Sequence, residues 1–262
     1  MRPSLLLAVM FAPALCAVAQ ETPIDKQLPQ ELAITSSVVM QGTDEFQSTG
    51  VFRYFKLPDQ KRITAAADVE YGLTDRWELD AEVPYEFVNP TDGRSVNGIG
   101  DVEAAVRYGV VPVSEQPFAL TAGLGAGIPT GDRVRNLGEG RLTLEPFFTA
   151  STWLGLFNAQ LNCGWQRAIT DAGDDPRDEF EYNVAILYPV DRWFLVLEGN
   201  GLSTRAATTY YITPEVVCRL AKNVEFMVAV PIGVTRESAD YGIVATITLE
   251  LENVTHRSAD KD

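Results

Sequence analysis

Carboxylates are the commonest chemistry-bearing residues in this chain, and they recur in phase. Asp68, Glu70, Glu78, Asp80, Glu82, Asp101, Glu103, Glu145, Glu215 and Glu225 occupy alternate positions of short segments, and Arg62, Arg107 and Arg219 share that phase. Paired carboxylates can serve as general acid and base, but the spacing singles out no pair. As a set they form either a cation-favouring pore lining or a charge network that fills an interior. The single histidine, His256, sits in a polar C-terminal stretch. Ser-His-Asp or Cys-His chemistry would need a histidine held in the folded body. Cys163 and Cys218 are far apart and match no zinc-ligand spacing. The acidic run Asp171, Asp174, Asp175, Asp178 and Glu179 lacks the spacing of a calcium loop. Gly123, Gly125 and Gly127 lack the Gly-Lys-Ser/Thr ending of a phosphate loop. The expectation is therefore no enzyme, no metal and no cofactor.

The elements that position these groups are strands. Successive strand side chains point to opposite faces, so a half-buried strand alternates with period two. Trp77, Leu79, Ala81, Val83, Tyr85 and Phe87 are apolar, while Glu78, Asp80, Glu82 and Glu86 lie between them. Ile63 to Leu73, Val102 to Val110, Phe118 to Ile128, Phe157 to Trp165, Phe180 to Tyr188, Val224 to Ile232 and Tyr241 to Leu251 repeat the pattern. Leu142 to Ser151, Trp193 to Gly201 and Thr208 to Leu220 read as strands less cleanly, and Glu31 to Met40 is the expected first strand. That makes about twelve.

Short connections near 74–76, 112–117, 152–156, 189–192 and 221–223 alternate with longer ones near 41–61, 89–100, 129–140, 169–178, 202–207 and 236–239. Short turns on one side and longer loops on the other are the arrangement of a transmembrane barrel. Strands of eight to ten residues, tilted by about 40°, give roughly 20–25 Å of height, the span of an apolar band. Tyr71, Trp77, Tyr188 and Trp193 flank short turns and Tyr85 lies at the other end of its strand, the expected aromatic girdles. The fold class expected is all-β, a closed antiparallel transmembrane β-barrel.

The ends read separately. Arg2, the apolar run Leu5 to Leu15 and Ala17-Val18-Ala19 compose an export signal over 1–19. A periplasmic segment is expected over 20–30, the barrel over 31–252 and a polar tail over 253–262. The run is too short to span a bilayer as a helix, and no later segment is apolar for the roughly 20 residues one needs. The net charge of −15 leaves no basic patch to attract phosphates, which argues against nucleic acid as a partner.

Three ordered stretches carry a family resemblance. Glu70-Tyr71-Gly72-Leu73-Thr74-Asp75-Arg76-Trp77-Glu78-Leu79, Gly98-Ile99-Gly100-Asp101-Val102-Glu103 and Gly125-Ala126-Gly127-Ile128-Pro129-Thr130-Gly131-Asp132 together resemble the meta-pathway phenol degradation family of bacterial outer-membrane β-barrel proteins. The motifs cover about Arg62 to Asp132, and the rest follows by pattern. The resemblance implies a Gram-negative outer-membrane barrel associated with uptake of aromatic or hydrophobic compounds. The final strand departs from many bacterial barrels by ending near Leu249 to Leu251 without a terminal aromatic residue.

Three readings follow. The first is a passive, porin-like channel or uptake barrel for small solutes, with membrane lipid and the solute as partners. The second is a non-conducting structural or ligand-binding barrel with a filled lumen. The third is a soluble secreted β-sandwich. The lumen candidates are Asp68, Glu70, Glu78, Asp80, Glu82, Asp101, Glu103, Arg107, Glu145, Glu215 and Arg219.

Overall fold

The computed structural model describes residues 28–113, 118–170 and 176–252. The expected signal over 1–19, most of the segment 20–30, the tail 253–262 with His256, and Asp171, Asp174 and Asp175 lie outside the described residues.

Fourteen strand segments form one antiparallel sheet: β1 (Phe46–Lys56), β2 (Gln60–Thr74), β3 (Trp77–Pro90), β4 (Val96–Ile99), β5 (Val102–Val111), β6 (Phe118–Ile128), β7 (Thr143–Leu154), β8 (Phe157–Ala168), β9 (Asp178–Val190), β10 (Trp193–Thr204), β11 (Thr208–Ala221), β12 (Val224–Ala229), β13 (Ile232–Gly233) and β14 (Tyr241–Leu251). Two pairs are interrupted staves. β4 and β5 both pair with β3, and β12 and β13 both pair with β11 and β14. The result is a twelve-stranded barrel. It closes where β1 pairs with β14 from Phe46↔Leu251 to Lys56↔Tyr241. Closure pairs the staves on both sides, except that short β4 has β3 as its one sheet partner among the described residues; an apolar solvent requires such pairing because it offers backbone groups no hydrogen bonds.

The walls are inverted relative to a soluble protein. Along β3, Trp77, Leu79, Val83, Tyr85 and Phe87 are exposed outward, while Glu78, Glu86 and Val88 are buried inward. The same holds on β8, with Phe157, Leu161 and Trp165 outside and Asn158, Gln160 and Asn162 buried inside. A sandwich would bury the greasy faces against each other, so this burial pattern removes that reading.

The first strand is a correction. It runs over Phe46–Lys56, inside the stretch read as a long loop, and Glu31 to Met40 is not in a strand. Ser48 and Gly50 sit on the outward phase of β1, so its lipid-facing stripe is weak. Leu32, Ile34, Val38 and Val39 made the earlier stretch strand-like, but residues 28–44 instead enter the lumen as an irregular segment. Leu32 packs on an inner apolar patch with Leu187, Phe194, Val196, Val217, Met227 and Val244, and Leu28 and Val38 pack with Ala119 and Trp153. Burying Leu32 contributes roughly 2 kcal/mol.

At the long-loop end, the connection between β6 and β7 folds inward. Its residue Leu137 is buried, and the Cβ that Gly98 lacks would lie 2.9 Å from Leu137 Cδ1. Arg133–Arg135 forms a short 3-10 turn capped by Asn136 in the left-handed region.

Candidate functional site in the barrel lumen

The lumen carries the polar chemistry, and residues 28–44 divide it. The segment enters near the turn between β11 and β12, where Arg219 Nη2 donates to the Leu28 carbonyl at 2.7 Å and Gln30 N donates to Glu225 at 2.8 Å. It climbs to Thr35, whose N–H and hydroxyl both donate to Glu198 Oε2, at 2.8 and 2.7 Å. It then descends past Gln160, which accepts from Val38 N at 3.2 Å. Glu78 accepts from Gln41 N, and Asp44 N reaches the Gly72 carbonyl at 2.9 Å.

Barrel side chains thus satisfy the segment's backbone. Carboxylates and a glutamine take its N–H groups, and arginines take its carbonyls. Arg107 bridges both roles. Its Nη1 donates to Glu78 at 2.8 Å, and its Nη2 donates to the carbonyls of Ser37 and Val39, the latter at 3.1 Å. Glu70 lies 3.7 Å away as a further counter-charge. A buried carboxylate is tolerated only with such partners.

Above the segment lies a cavity of about 380 Å³. Its floor is Glu31 to Ser37, and its walls include Asp68, Glu70, Asp80, Glu82, Glu103, Glu145 and Glu181, with Arg53 and Arg107 as the basic residues. Arg53 is engaged by Glu82 in a two-point ion pair at 2.7 and 2.6 Å. Among the described residues, Asp68, Asp80, Glu103 and Glu145 have no cationic group within 4.0 Å. Gly164 lacks the Cβ that would sit 2.1 Å from Glu145 Oε1, so the wall opposite that carboxylate is hollowed to receive it. Gly123 makes room in the same way for the Phe147 ring. Below the segment, a second space of about 1100 Å³ opens at the short-turn end, lined by residues that include Asp75, Lys222, Asn223 and Glu252.

The structure therefore sorts the sequence candidates into groups. Asp68, Glu70, Asp80, Glu82, Glu103, Arg107 and Glu145 face the cavity. Glu78 and Glu215 are buried against residues 28–44, and Arg219 joins Glu225 and Leu28 at the short-turn end. Asp101 lines neither of these two spaces. It holds the inward loop, accepting from Gly131 N at 2.8 Å and Glu139 N at 2.6 Å. The break between β4 and β5 falls at Gly100-Asp101, which frees that side chain for the loop. Tyr71, Trp77, Tyr85, Tyr188 and Trp193 lie on the outward phase at two levels, with Trp77 4.7 Å from Tyr108 and Tyr85 5.1 Å from Phe87, ring to ring.

A family model described as "Putative MetA-pathway of phenol degradation" matches residues 37–251. The chain belongs to this family. The match is wider than the three motifs that suggested it, and it takes in the whole barrel. No curated protein matches the sequence. Among solved structures, the KdgM porin superposes with a TM-score of 0.54 at 10% identity, covering 77% of this chain and 98% of that one. The NanC porin gives 0.52 at 11%, covering 79% and 99%. The β domain of the Bordetella autotransporter BrkA gives 0.50 at 9%, covering 79% and 99%. Identities this low establish a shared outer-membrane barrel fold and say nothing of the solute.

Sequence reasoning missed Glu198, Asn200 and Gln160, which anchor residues 28–44. It also missed the inward apolar positions Leu187, Phe194, Val196, Val217 and Met227. A signal was present. β10 and β11 alternate poorly because their inner faces are apolar as well, and a strand greasy on both faces needs a cover on the inside.

Proposed function

We propose that this protein is a passive outer-membrane channel for small solutes that favours cations. The observation that carries the reading is the cavity wall, where Asp68, Asp80, Glu103 and Glu145 stand without basic partners. A confined, low-dielectric passage in which one sign of charge predominates, here seven wall carboxylates to two arginines, concentrates counter-ions. The barrel fold shared with porins supports a location in the outer membrane. The two levels of aromatic residues, Tyr71, Trp77, Tyr188 and Trp193 at one and Tyr85 at the other, suit the two interfaces of a bilayer.

The charge also argues against copying a neighbour's solute. The KdgM porin has been solved in complex with oligogalacturonate, a polyanion, and a carboxylate-lined passage repels one. The aromatic compounds suggested by the family's name fit no acidic site by themselves. A non-conducting barrel is the second reading, and the occupation of the short-turn half by residues 28–44 is what favours it.

Planar-bilayer recording across a potassium chloride gradient tests the proposal. A reversal potential of the sign set by potassium is expected, moving toward zero in Asp80→Asn, Glu103→Gln and Glu145→Gln together. A folded barrel that passes no current, or one that prefers chloride, overturns it.

A further inference from the structure

The most unusual pair of acids lies beneath residues 28–44. Glu198 and Glu215 are diagonal neighbours on the inner faces of β10 and β11, two residues apart in register, since Glu198 pairs with Thr213 and Glu215 with Val196, and they are 1% and 4% exposed. Among the described residues neither has an arginine or lysine within 4.0 Å. Most of their donors belong to the segment, with Ala33 N reaching Glu198 Oε1 at 2.9 Å and Glu215 Oε2 at 3.0 Å, and the barrel adds Asn200 Nδ2, which donates to Glu198 Oε2 at 2.8 Å. Glu215 Oε1 is buried with no hydrogen-bond donor. Beside the pair stands the apolar wall of Phe194, Val196, Val217 and Met227, which Leu32 covers.

We propose that Glu198, Glu215 and this apolar wall form a binding site for ammonium compounds with an apolar body, which residues 28–44 cover and vacate. The segment's own contacts display the chemistry the site accepts. It offers N–H donors to two carboxylates and an alkyl group to the wall. A primary alkylammonium offers the same two features together with the positive charge that the pair lacks, so it competes with the segment for one place. Two carboxylates with only neutral donors leave a desolvation cost that a cation offsets better than an amide.

The cover is built to be displaced. Among the described residues, 28–41 make no backbone-to-backbone hydrogen bond with any strand, so no ladder welds them to the wall. Gln41 Oε1, Gln160 Nε2, Arg107 Nε and Glu215 Oε1 are all buried at this interface without partners. Such an interface is incompletely satisfied in its closed form. The segment's apex, Glu31 to Ser37, is also the cavity floor, so a solute in the cavity meets the cover directly. The inference rests on the lumen being open to solutes, as proposed above.

The test uses the full chain in liposomes with Thr35→Cys as reporter, since Thr35 is 2% exposed. Hexylammonium, hexanoate and hexanol are the probes, and labelling of the cysteine by a water-soluble maleimide is the readout. Hexylammonium is expected to raise the labelling rate at least about tenfold, with hexanoate and hexanol without effect, and Glu215→Gln is expected to abolish the response. Equal effects of the three probes, or none from hexylammonium, overturn the site. Should the Gln variant not fold, the charge comparison in the parent chain still decides. Potassium flux through the same liposomes is measured in parallel. Flux without a hexylammonium response sinks this site and leaves the channel standing, whereas absent flux sinks the channel reading itself.

Discussion

Arg107 shows how a single residue holds this lumen together. Glu78 is fully buried at its side, and the guanidinium also carries the carbonyls of Ser37 and Val39. Replacing Arg107 by Met keeps much of the volume but strands a buried carboxylate and two carbonyls. Removing one partner of a buried pair costs about 3–5 kcal/mol. Arg107→Met is therefore expected to lower unfolding free energy by that order, measured by urea titration of tryptophan fluorescence in lipid vesicles. The double variant Arg107→Met, Glu78→Gln should recover part of the loss, because no unpaired charge remains. Glu103 offers the contrast. It lines the cavity, is exposed there, and has no arginine or lysine within 4.0 Å among the described residues.

Two predictions belong to residues 28–44 as an element. The segment leaves the lumen over Gly72, where an added Cβ would lie 1.8 Å from the Gly42 carbonyl oxygen. Backbone cannot yield as a flexible side chain would. Gly72→Ala is thus expected to loosen the segment and to raise maleimide labelling at Thr35→Cys. Unchanged labelling would show that the segment reroutes at no cost. The second concerns pH. Outside the membrane, in the β2–β3 turn, Asp75 accepts from the Thr43 hydroxyl and from Thr43 N at 3.2 Å. These bonds, the hydroxyl's foremost, hold its carboxyl below the usual range. A carboxyl depressed in the docked state stabilises that state at neutral pH, and the contribution is lost as pH falls through its lowered titration point. Asp75→Asn should therefore label faster than the parent at neutral pH, and the two should converge in acid. Rates are normalised to a cysteine at Val134, which is 97% exposed.

At the scale of the whole molecule, the barrel has two unlike inner walls. The wall of β2, β3 and β5 carries Asp68, Glu70, Glu78, Asp80, Glu82 and Glu103. The wall of β9 to β12 and β14 carries Leu187, Phe194, Val196, Val217, Met227 and Val244. Residues 28–44 run between them and match both, with Leu32 toward the apolar side and Gln41 toward Glu78 and Glu70. The asymmetry sets an apolar flank opposite the carboxylate wall, so the reversal potential and the reporter responses proposed above probe opposite sides of one lumen.

Outward alternation was local information, and the sequence by itself determined it. Every second residue from Trp77 to Phe87 had to be apolar because that face meets lipid, so strand phase, the all-β class and the inward direction of Asp68, Asp80, Glu103 and Glu145 were legible residue by residue. The closing strand was not. The outer face of β1 carries Ser48 and Gly50, and its place was fixed by pairing with β14, nearly two hundred residues away in sequence. The fate of Glu31 to Met40 was likewise undecided locally, since a β-branched apolar run suits a strand and a greasy inner wall equally well. Only the folded barrel supplied that wall, together with the Glu198 and Glu215 acceptors that satisfy a backbone left without a strand partner. The physical reason is range: a side chain's phase follows from its two neighbours, whereas a hydrogen-bond partner for an irregular segment exists only once distant strands have closed around it.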